Sequence, residues 1–582
     1  MSALPATTTQ TVDVVTLTVN IEGNEIPQTV PVLGAEVVTQ VNRIPFARLR
    51  IGDGDAARGD FAGSSGQLFV PGNQVDILAG YQGQTQSIFS GLVVSQRLVV
   101  RGGKSWLEID CRDPAFKMTL TRHNRYFESV TDSDVAESLL GEYDDLTADI
   151  TATDVTHTQL LQYQATDWDF LVSRLETTGQ LCWAEGGTVH SIKPSLDDDA
   201  TADISYGMTL LELDAELDAR TQTGGVTAVA WDPSGQDVIQ SSASDPQWAG
   251  NGNLSADDLS GATGRSEDQV WHGGSLASDA LQVWADGALL RARMAESIGR
   301  ARFQGIATLK PGVVLQLSRL SDRFNGKVCV TGVRQEFAGG NWVTDAQFGL
   351  TRETHAERMP ISHIPAAGIA AAVHGLQVGV VTDLANDPDG EYRIRVKVPL
   401  AGMDEQGVWA RVATLDAGNQ RGMFFRPEVK DEVVLGFFHA DPSHPVVLGM
   451  LNSSAKPPAF DATDDNDNKG YVSRSKLALR FDDKNKVMVL ETPGGNRLTL
   501  SDQDGGVTLE DQNGNSLKLD SNGITLTSSK GAVSLQAKTD FKVGAMNAQI
   551  KADSSLTAKG TASAELSTSG SLTVKGTTVM IN

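Results

Sequence analysis

A short apolar repeat occupies the last hundred residues of the chain. Residues 496–526, NRLTLSDQDGGVTLEDQNGNSLKLDSNGITL, place two apolar residues around one polar residue and then insert a turn, four times in succession. Residues two positions apart in a strand point to the same side. The intervening positions are rich in Gly, Asn, Asp and Ser, which reverse the chain readily. Each repeat therefore predicts one strand with an apolar side, followed by a corner.

The repeat continues to the end of the sequence with a period close to eight residues. Its apolar pairs start at successive spacings of 9, 10, 7, 9, 8, 7, 8, 8, 8 and 7 residues. The side chains that we predict to face a common interior are Leu498, Leu500, Val507, Leu509, Leu517, Leu519, Ile524, Leu526, Val533, Leu535, Phe541, Val543, Ile550, Leu556, Leu566, Leu572 and Val574. The final apolar group comprises Val579, Met580 and Ile581.

Eleven such repeats are too few for a stable single-chain coil. A solenoid with about three strands per coil would have fewer than four coils around a thin core. Three chains wound around one axis would instead fill a triangular core together, with both core and backbone pairing between chains. With strands about 4.8 Å apart, the product would be a rod on the order of 50 Å long. We therefore predict an intertwined homotrimeric needle, whose apolar end calls for a protein that covers it.

The preceding residues predict two further structural regions. Residues 12–125 alternate like successive strands, while residues 129–143, 166–183 and 278–302 have the apolar spacing of helices, with Thr131 or Ser133 and Thr166 as candidate N-caps. The first 360 residues are therefore expected to form an α+β region in which strands dominate. Residues 376–452 contain the alternating segment YRIRVKVP and further short strands such as DEVVLGFF, whose number and spacing predict a five-stranded OB-type barrel.

Composition and charge narrow the range of functions. Of the residues, 40% are hydrophobic and 21% are charged, and no apolar run is long enough to span a bilayer. The formal charge of -25 argues against nucleic-acid binding, because phosphate recognition needs clustered Lys and Arg. The N-terminus lacks the features of a signal peptide, so we expect synthesis in the cytoplasm. The widely spaced Cys111, Cys182 and Cys329 are expected to be buried thiols.

Several segments resemble the VgrG-type spike proteins of contractile injection systems, the relatives of phage tail hubs and spikes. The segments are VNRIPFARLRIGDGD, YQATDWDFLVSRLETTGQLCW, FNGKVCVTGVRQEF, NDPDGEYRIRVKVP with FRPEVKDEVVLGFFHADPSHPVVLGML, and the octad repeats. The resemblance implies a mainly β architecture: an α+β hub at residues 1–365 with two barrel-like subdomains and helices, an OB-fold at 374–452, a linker at 453–470, and a triple-stranded β-helix at 471–582.

The resemblance further implies a homotrimer that caps the inner tube at the baseplate and punctures the target envelope. Its implied partners are tube and hub adaptor proteins, baseplate proteins, the target membrane in passing, and a PAAR-type tip protein on Val579, Met580 and Ile581. Such a spike would be assembled into an injection particle and delivered outside the cell or into a target envelope. A trimeric adhesin or surface fibre with a β-helical stalk is the alternative, because its repeat would look the same.

Catalytic and metal-binding motifs are weak. Neither GxSxG nor HExxH occurs, and the SxxK match at Ser473 lies at a linker edge. The group His439, Asp441 and His444 and the acidic loop around Asp53 lack the ligand spacing of recognised metal sites. The linker leaves no room for an inserted enzyme. We therefore predict a structural protein without catalytic residues, cofactor or metal.

Overall fold

The computed structural model describes residues 14–402 and 406–581. The start of the first predicted strand, at Val12, and the N-terminal segment considered as a signal peptide lie outside the described residues. The chain divides into two compact units, one reaching to Val373 and including His439–Pro442, the other containing His374–Phe438 and the residues from Ser443 onward. Strands dominate both units, which confirms the mainly β fold class.

The first unit contains most of the regular structure. Its strands are β1 Val15–Ile21, β2 Asn24–Glu25, β3 Val32–Gln40, β4 Phe46–Gly52, β5 Gln74–Tyr81, β6 Gln84–Arg101, β7 Lys104–Arg112, β8 Arg122–Val130, β9 Thr147–Ile150, β10 His157–Thr166, β11 Leu181–Glu185, β12 Thr188–Ile192, β13 Ala202–Ser205, β14 Leu210–Leu217, β15 Val226–Asp232, β16 Asp237–Ser242, β17 Asp268–His272, β18 Ser297–Gln304, β19 Val314–Ser318, β20 Gly326–Ala338 and β21 Asn341–Phe348. Its helices are α1 Ala62–Ser65, α2 Asp132–Leu140, α3 Asp167–Thr177, α4 Ala256–Thr263, α5 Ser278–Met294 and α6 His355–Arg358.

One 13-stranded sheet organises this unit, in the order β14-β18-β21-β20-β3-β4-β7-β6-β5-β1-β2, with β13 and β19 attached beside β20. At each end of the sheet, alternate side chains of the strands pack into a hydrophobic core, so the sheet has two cores. One core centres on Leu49, Ile77 and Ile109, and the other on Phe303 and Phe348. The region predicted to form two barrel-like subdomains thus contains one continuous sheet with two hydrophobic cores, and β20 contributes residues to both. The division into two barrels stays a prediction.

Two of the three predicted helices match the structure closely. Thr131 caps α2 by accepting from the Asp134 amide while the Asp134 side chain accepts from the Thr131 amide, forming a capping box. Thr166 caps α3 in the same way, by accepting from the Asp169 amide. The third prediction was wrong at its end: α5 stops at Met294, and Ile298 lies in β18. Residues 297–304 pair with β14 and β21, so sheet hydrogen bonds replace the helical ones.

A buried ion pair fixes α3 against α5. The Arg291 guanidinium lies 2.5 Å from the Glu176 carboxylate, and both side chains are buried. Glu176 also accepts from Asn42 Nδ2 and from the His355 amide, each at 2.6 Å. Such a pair is tolerated inside a protein only because its remaining hydrogen-bonding groups are satisfied. The helices of the first unit are therefore held by polar contacts as well as by packing.

The three cysteines are buried and free, as predicted. Burial raises the pKa of Cys111 and of Cys329 to about 12 in each case, because the thiolate form is desolvated. Burial likewise raises the pKa of Cys182. These thiols are structural packing groups.

The second unit begins with the predicted five-stranded barrel. Its strands close in the order β22-β23-β24-β28-β27 around Ile394, Val396 and Leu435, which are fully buried. The exposed Tyr392 contradicts the predicted alternation, because it lies before β23 in a turn with φ of 56°. The strands of this part are β22 Gln377–Asp383, β23 Ile394–Lys397, β24 Val408–Val412, β25 Ala417–Gly418, β26 Arg421–Gly422, β27 Glu432–Phe437 and β28 Pro445–Met450.

After the barrel, seven strands form a meander in which every strand pairs with the next. They are β29 Asn468–Val472, β30 Ala478–Asp482, β31 Val487–Glu491, β32 Arg497–Ser501, β33 Gly506–Glu510, β34 Ser516–Asp520 and β35 Gly523–Thr527. Residues 528–581 contain no assigned helix or strand. Short 3-10 helices elsewhere in the chain are Pro114–Thr119, Ala219–Thr221, Pro365–Gly368, Pro399–Ala401 and Phe438–Ala440.

Candidate oligomerisation surface

The corners between the repeat strands are hairpin turns. Gly505, Gly514 and Gly523 adopt φ values of 64°, 84° and 118°, which favour glycine. In the turn before β34, the Asp511 carboxylate accepts from the side chain and amide of Asn515 and from the Asn513 amide. These hydrogen bonds lower the pKa of Asp511 to about 2. The turns therefore make adjacent strands pair antiparallel within one chain.

This pairing corrects the prediction of an intermolecular backbone ladder for the strands from β29 to β35. Leu498 lies opposite Leu509, and Leu517 lies opposite both Leu509 and Leu526, all in the same chain. The periodicity predicted β32 to β35 and their apolar side correctly, whereas residues 528–581, which carry the later repeats, contain no assigned strand. It could not separate a corner from a hairpin, because both use the same turn residues.

The meander is apolar on one face and largely polar on the other. The hairpins bring residues at alternate positions of neighbouring strands into register, and these residues form a continuous apolar face. We define the apolar face as Tyr471, Leu479, Phe481, Met488, Leu490, Leu498, Leu500, Val507, Leu509, Leu517, Leu519, Ile524 and Leu526. The opposite face includes Arg480, Thr499, Thr508, Lys518 and Thr525. All eight of the predicted interior residues up to Leu526 lie on the apolar face.

The apolar face is open to solvent in the single chain. Leu509 is 53% exposed, Leu526 is 55% exposed and Ile524 is 75% exposed. A sheet of this kind normally buries its apolar face against another layer. Contiguous exposed apolar surface of this extent marks an interaction site. The geometry therefore defines a surface that requires a covering partner.

Residues 528–581, which we call the tail, carry the remaining predicted interior residues. All of them are exposed: Val533, Leu535, Phe541, Val543, Ile550, Leu556, Leu566, Leu572 and Val574, together with Val579, Met580 and Ile581 at the end. The single chain does not bring these side chains together. Their packing in a common core, and the role of the last three in binding a tip protein, stay predictions.

Sequence reasoning missed the upstream half of the apolar face. Tyr471, Leu479, Phe481, Met488 and Leu490 extend the same two rows over β29, β30 and β31. Part of their signal was present, since KLALRFDD contains an apolar pair around one polar residue like the later repeats, whereas KVMVLE is a continuous apolar run of strand length. The Tyr471 ring also contacts Phe425, with ring centroids 4.7 Å apart. The face therefore begins directly beside the barrel's loops.

The other candidate sites have structural partners. His439 Nε2 lies 3.3 Å from His363 Nδ1, and residues 14–402 and 406–581 contain no group of three His, Cys, Asp or Glu side chains suited to a metal ion. Asp53 accepts from the amides of Gly63 and Ser64, each at 2.8 Å. Within these ranges, no helix has the length and apolar character needed to cross a membrane.

The described residues form a strand-rich first unit, a small closed barrel and a following sheet with one uncovered apolar face. Residues 11–339, more than half of the chain, match the family model described as Alg8 N-terminal domain, so the chain belongs to that family. Residues 377–451 match the type VI secretion system/phage-baseplate injector OB domain, and residues 487–582 match the phage baseplate V C-terminal trimerisation domain. These matches confirm the resemblance to VgrG-type spikes.

Solved structures of low sequence identity are also similar. The tail protein from Neisseria meningitidis MC58 is 16% identical, with a TM-score of 0.44, over 60% of this chain and 99% of that one. The E. coli c3393 protein, described as a type VI secretion component, is 14% identical, with a TM-score of 0.38, over 74% and 99%. A chain of the Francisella PdpA-VgrG complex is 9% identical, with a TM-score of 0.38, over 88% of each chain.

Proposed function

We propose that three copies of this chain assemble through the apolar face and the tail into the hub and spike of a contractile injection machine. The observation that carries this proposal is the open apolar face, which lies largely within the match to a trimerisation domain. Three such sheets, apolar faces inward, would form the three sides of a prism. The tail, which has no strand partner in its own chain, would then pair with the tails of the other two copies.

In this assembly the hub caps the inner tube at the baseplate and contacts tube adaptor and baseplate proteins. The spike transmits the force of sheath contraction and punctures the target envelope. A shared core and ladders between chains would have to break together, so the spike would resist unfolding kinetically. No catalytic step is assigned to any residue, and the injection particle is the site of assembly and delivery.

The native mass of the purified full-length protein tests the assembly directly. We expect three times the 61.9 kDa chain mass, by light scattering and by native mass spectrometry. Truncation after Gly470 removes the apolar face and the tail together, and should lower the mass of the assembly. A full-length protein that stays monomeric at micromolar concentration would refute the proposal.

Images of intact particles separate the spike from the adhesin alternative. A label fused at the C-terminus should lie on the axis of the tube, inside the baseplate. A label that projects sideways, or that decorates a cell surface, would assign the trimer to an adhesive fibre instead.

The tip protein is tested at the last apolar residues. Met580 and Ile581 are exposed, and three copies would present a compact apolar end. Replacing both by Asp should abolish co-purification of a co-expressed PAAR-type protein and leave the trimer mass unchanged. Retained co-purification would show that the tip protein binds to other residues.

A further inference from the structure

Charge is distributed very unevenly along the chain. Residues 528–582 carry six Lys, no Arg and three acidic residues, which gives a net charge of +3. The whole chain has a net charge of -25, so the preceding residues have a net charge of -28. The tail is therefore a short basic segment attached to a strongly acidic protein.

Ion pairing within the tail leaves most of its lysines without an acidic partner. Asp540 pairs with Lys542 at 3.2 Å, and Asp553 pairs with Lys551 at 3.5 Å. The other four lysines of the tail form no ion pair within the described residues; they are Lys530, Lys538, Lys559 and Lys575. Two of the three acidic residues are thus neutralised locally, while most of the lysines are not.

The lysines of the tail lie outside the positions that we predict to face a shared core. All of them are exposed, and none occupies a position of the apolar pairs that we assign to the interior. A desolvated ammonium group would be costly in a core of Leu, Val and Ile. In a trimer the lysines therefore lie on the outside, where three copies of the tail together carry a net charge of about +9, three times that of one tail.

We propose that the outer surface of the tail docks on the phosphate headgroups of anionic phospholipids. The inference rests on the proposed function, because the trimer gathers the lysines around one shaft. Lysine is a compact point charge on a flexible stem, suited to a fluid layer of phosphates. Each lysine close to such a surface strengthens binding by about fivefold. The shaft would thereby be held at the headgroup layer of the envelope that it meets.

Nucleic acid is a poorer match for the same surface. Nucleic-acid recognition relies heavily on bidentate Arg contacts and, for single strands, on aromatic stacking. The tail has no Arg, and Phe541 is its only aromatic residue.

Vesicle co-sedimentation of the full-length protein tests the inference. We expect binding to vesicles that contain phosphatidylglycerol in phosphatidylcholine, and none to phosphatidylcholine alone. Binding should fall as salt rises, because the Debye length shortens from about 10 Å at 0.1 M to about 3 Å at 1 M. Replacing the four unpaired lysines of the tail by Gln should weaken binding at least about tenfold.

A second quadruple variant provides the matched control. Lys469, Lys484, Lys486 and Lys518 belong to the seven-stranded meander and its turns, and changing all four to Gln alters the net charge equally. This variant should bind anionic vesicles like the unmodified protein. An equal loss in both variants would show that net charge alone matters and would overturn the inference.

Two further readouts separate the possible failures. Trimer mass without preference for anionic vesicles overturns the lipid inference and leaves the proposed function intact. Monomer mass refutes the proposed function, and the comparison of the two quadruple variants then decides the docking surface by itself. Stronger binding to a duplex DNA fragment than to anionic vesicles, lost in the tail variant, would assign the lysines to nucleic acid and overturn the inference.

Discussion

A single charge placed on the apolar face should dissociate the trimer that we propose. In Leu509→Asp, the new carboxylate faces Leu498 and Leu517 on the adjoining strands. About half of the Leu509 surface is open in the single chain and would be buried by the other copies. Full burial of a leucine contributes about 1.5–3 kcal/mol, so this half contributes about 1 kcal/mol per copy.

The substituted carboxylate adds a larger cost than the lost leucine. Burying an ionised carboxylate without a partner costs several kcal/mol in real proteins, and the trimer would bury three at one level. The total is on the order of 10 kcal/mol for the assembly, or about seven orders of magnitude in its association constant. At micromolar concentration we expect light scattering to report mainly monomer.

Thr508→Asp is the matched control, because it places the same charge on the same strand but on the opposite face. Residue 508 lies opposite Thr499 and Lys518, and the lysine can pair with a new carboxylate. We expect Thr508→Asp to change the free energy of association by less than about 1 kcal/mol, the usual range for exposed ion pairs. If both variants keep the unmodified mass, or if both dissociate, the apolar face is not the contact between copies.

Three further predictions concern the hub. Arg291→Met leaves the buried Glu176 without its cation and should lower the free energy of unfolding, measured in urea, by about 3–5 kcal/mol. The same change at the exposed Arg220 should cost much less. Equal losses would show that burial does not decide the effect. Burial raises the pKa of Glu296 to about 7. Above this pKa the folded protein must hold a buried carboxylate, which destabilises it relative to the unfolded chain. Glu296→Gln removes that charge and should therefore stabilise the hub at pH 8 by on the order of 2 kcal/mol, with no gain near pH 4.5, where the folded carboxyl is protonated. A gain independent of pH would contradict this reasoning. Cys182 is buried and its pKa is raised, so it should not react with a thiol reagent in the folded protein and should react only after denaturation. Labelling of Cys182 in the native protein would refute its assignment as a packing thiol.

Local patterns predicted the elements whose partners are close in sequence. The caps at Thr131 and Thr166 were readable because a side chain accepts from an amide three residues ahead. The five-stranded barrel was predictable from the number and spacing of its short strands. The end of α5 was not, because residues 297–304 keep an apolar spacing that also suits a strand, and only their pairing with β14 and β21 decided the outcome.

The sequence by itself determined four of the seven meander strands, β32 to β35, and their apolar side, since these depend on periodicity and turn residues within a few positions. The resemblance to VgrG-type spikes was readable in segments spread along the chain. Only the tertiary structure decided that β29 to β35 pair within one chain and that their apolar side chains form one open face. The reason is physical: a corner and a hairpin use the same glycine and asparagine conformations, and only hydrogen bonds between the strands distinguish them.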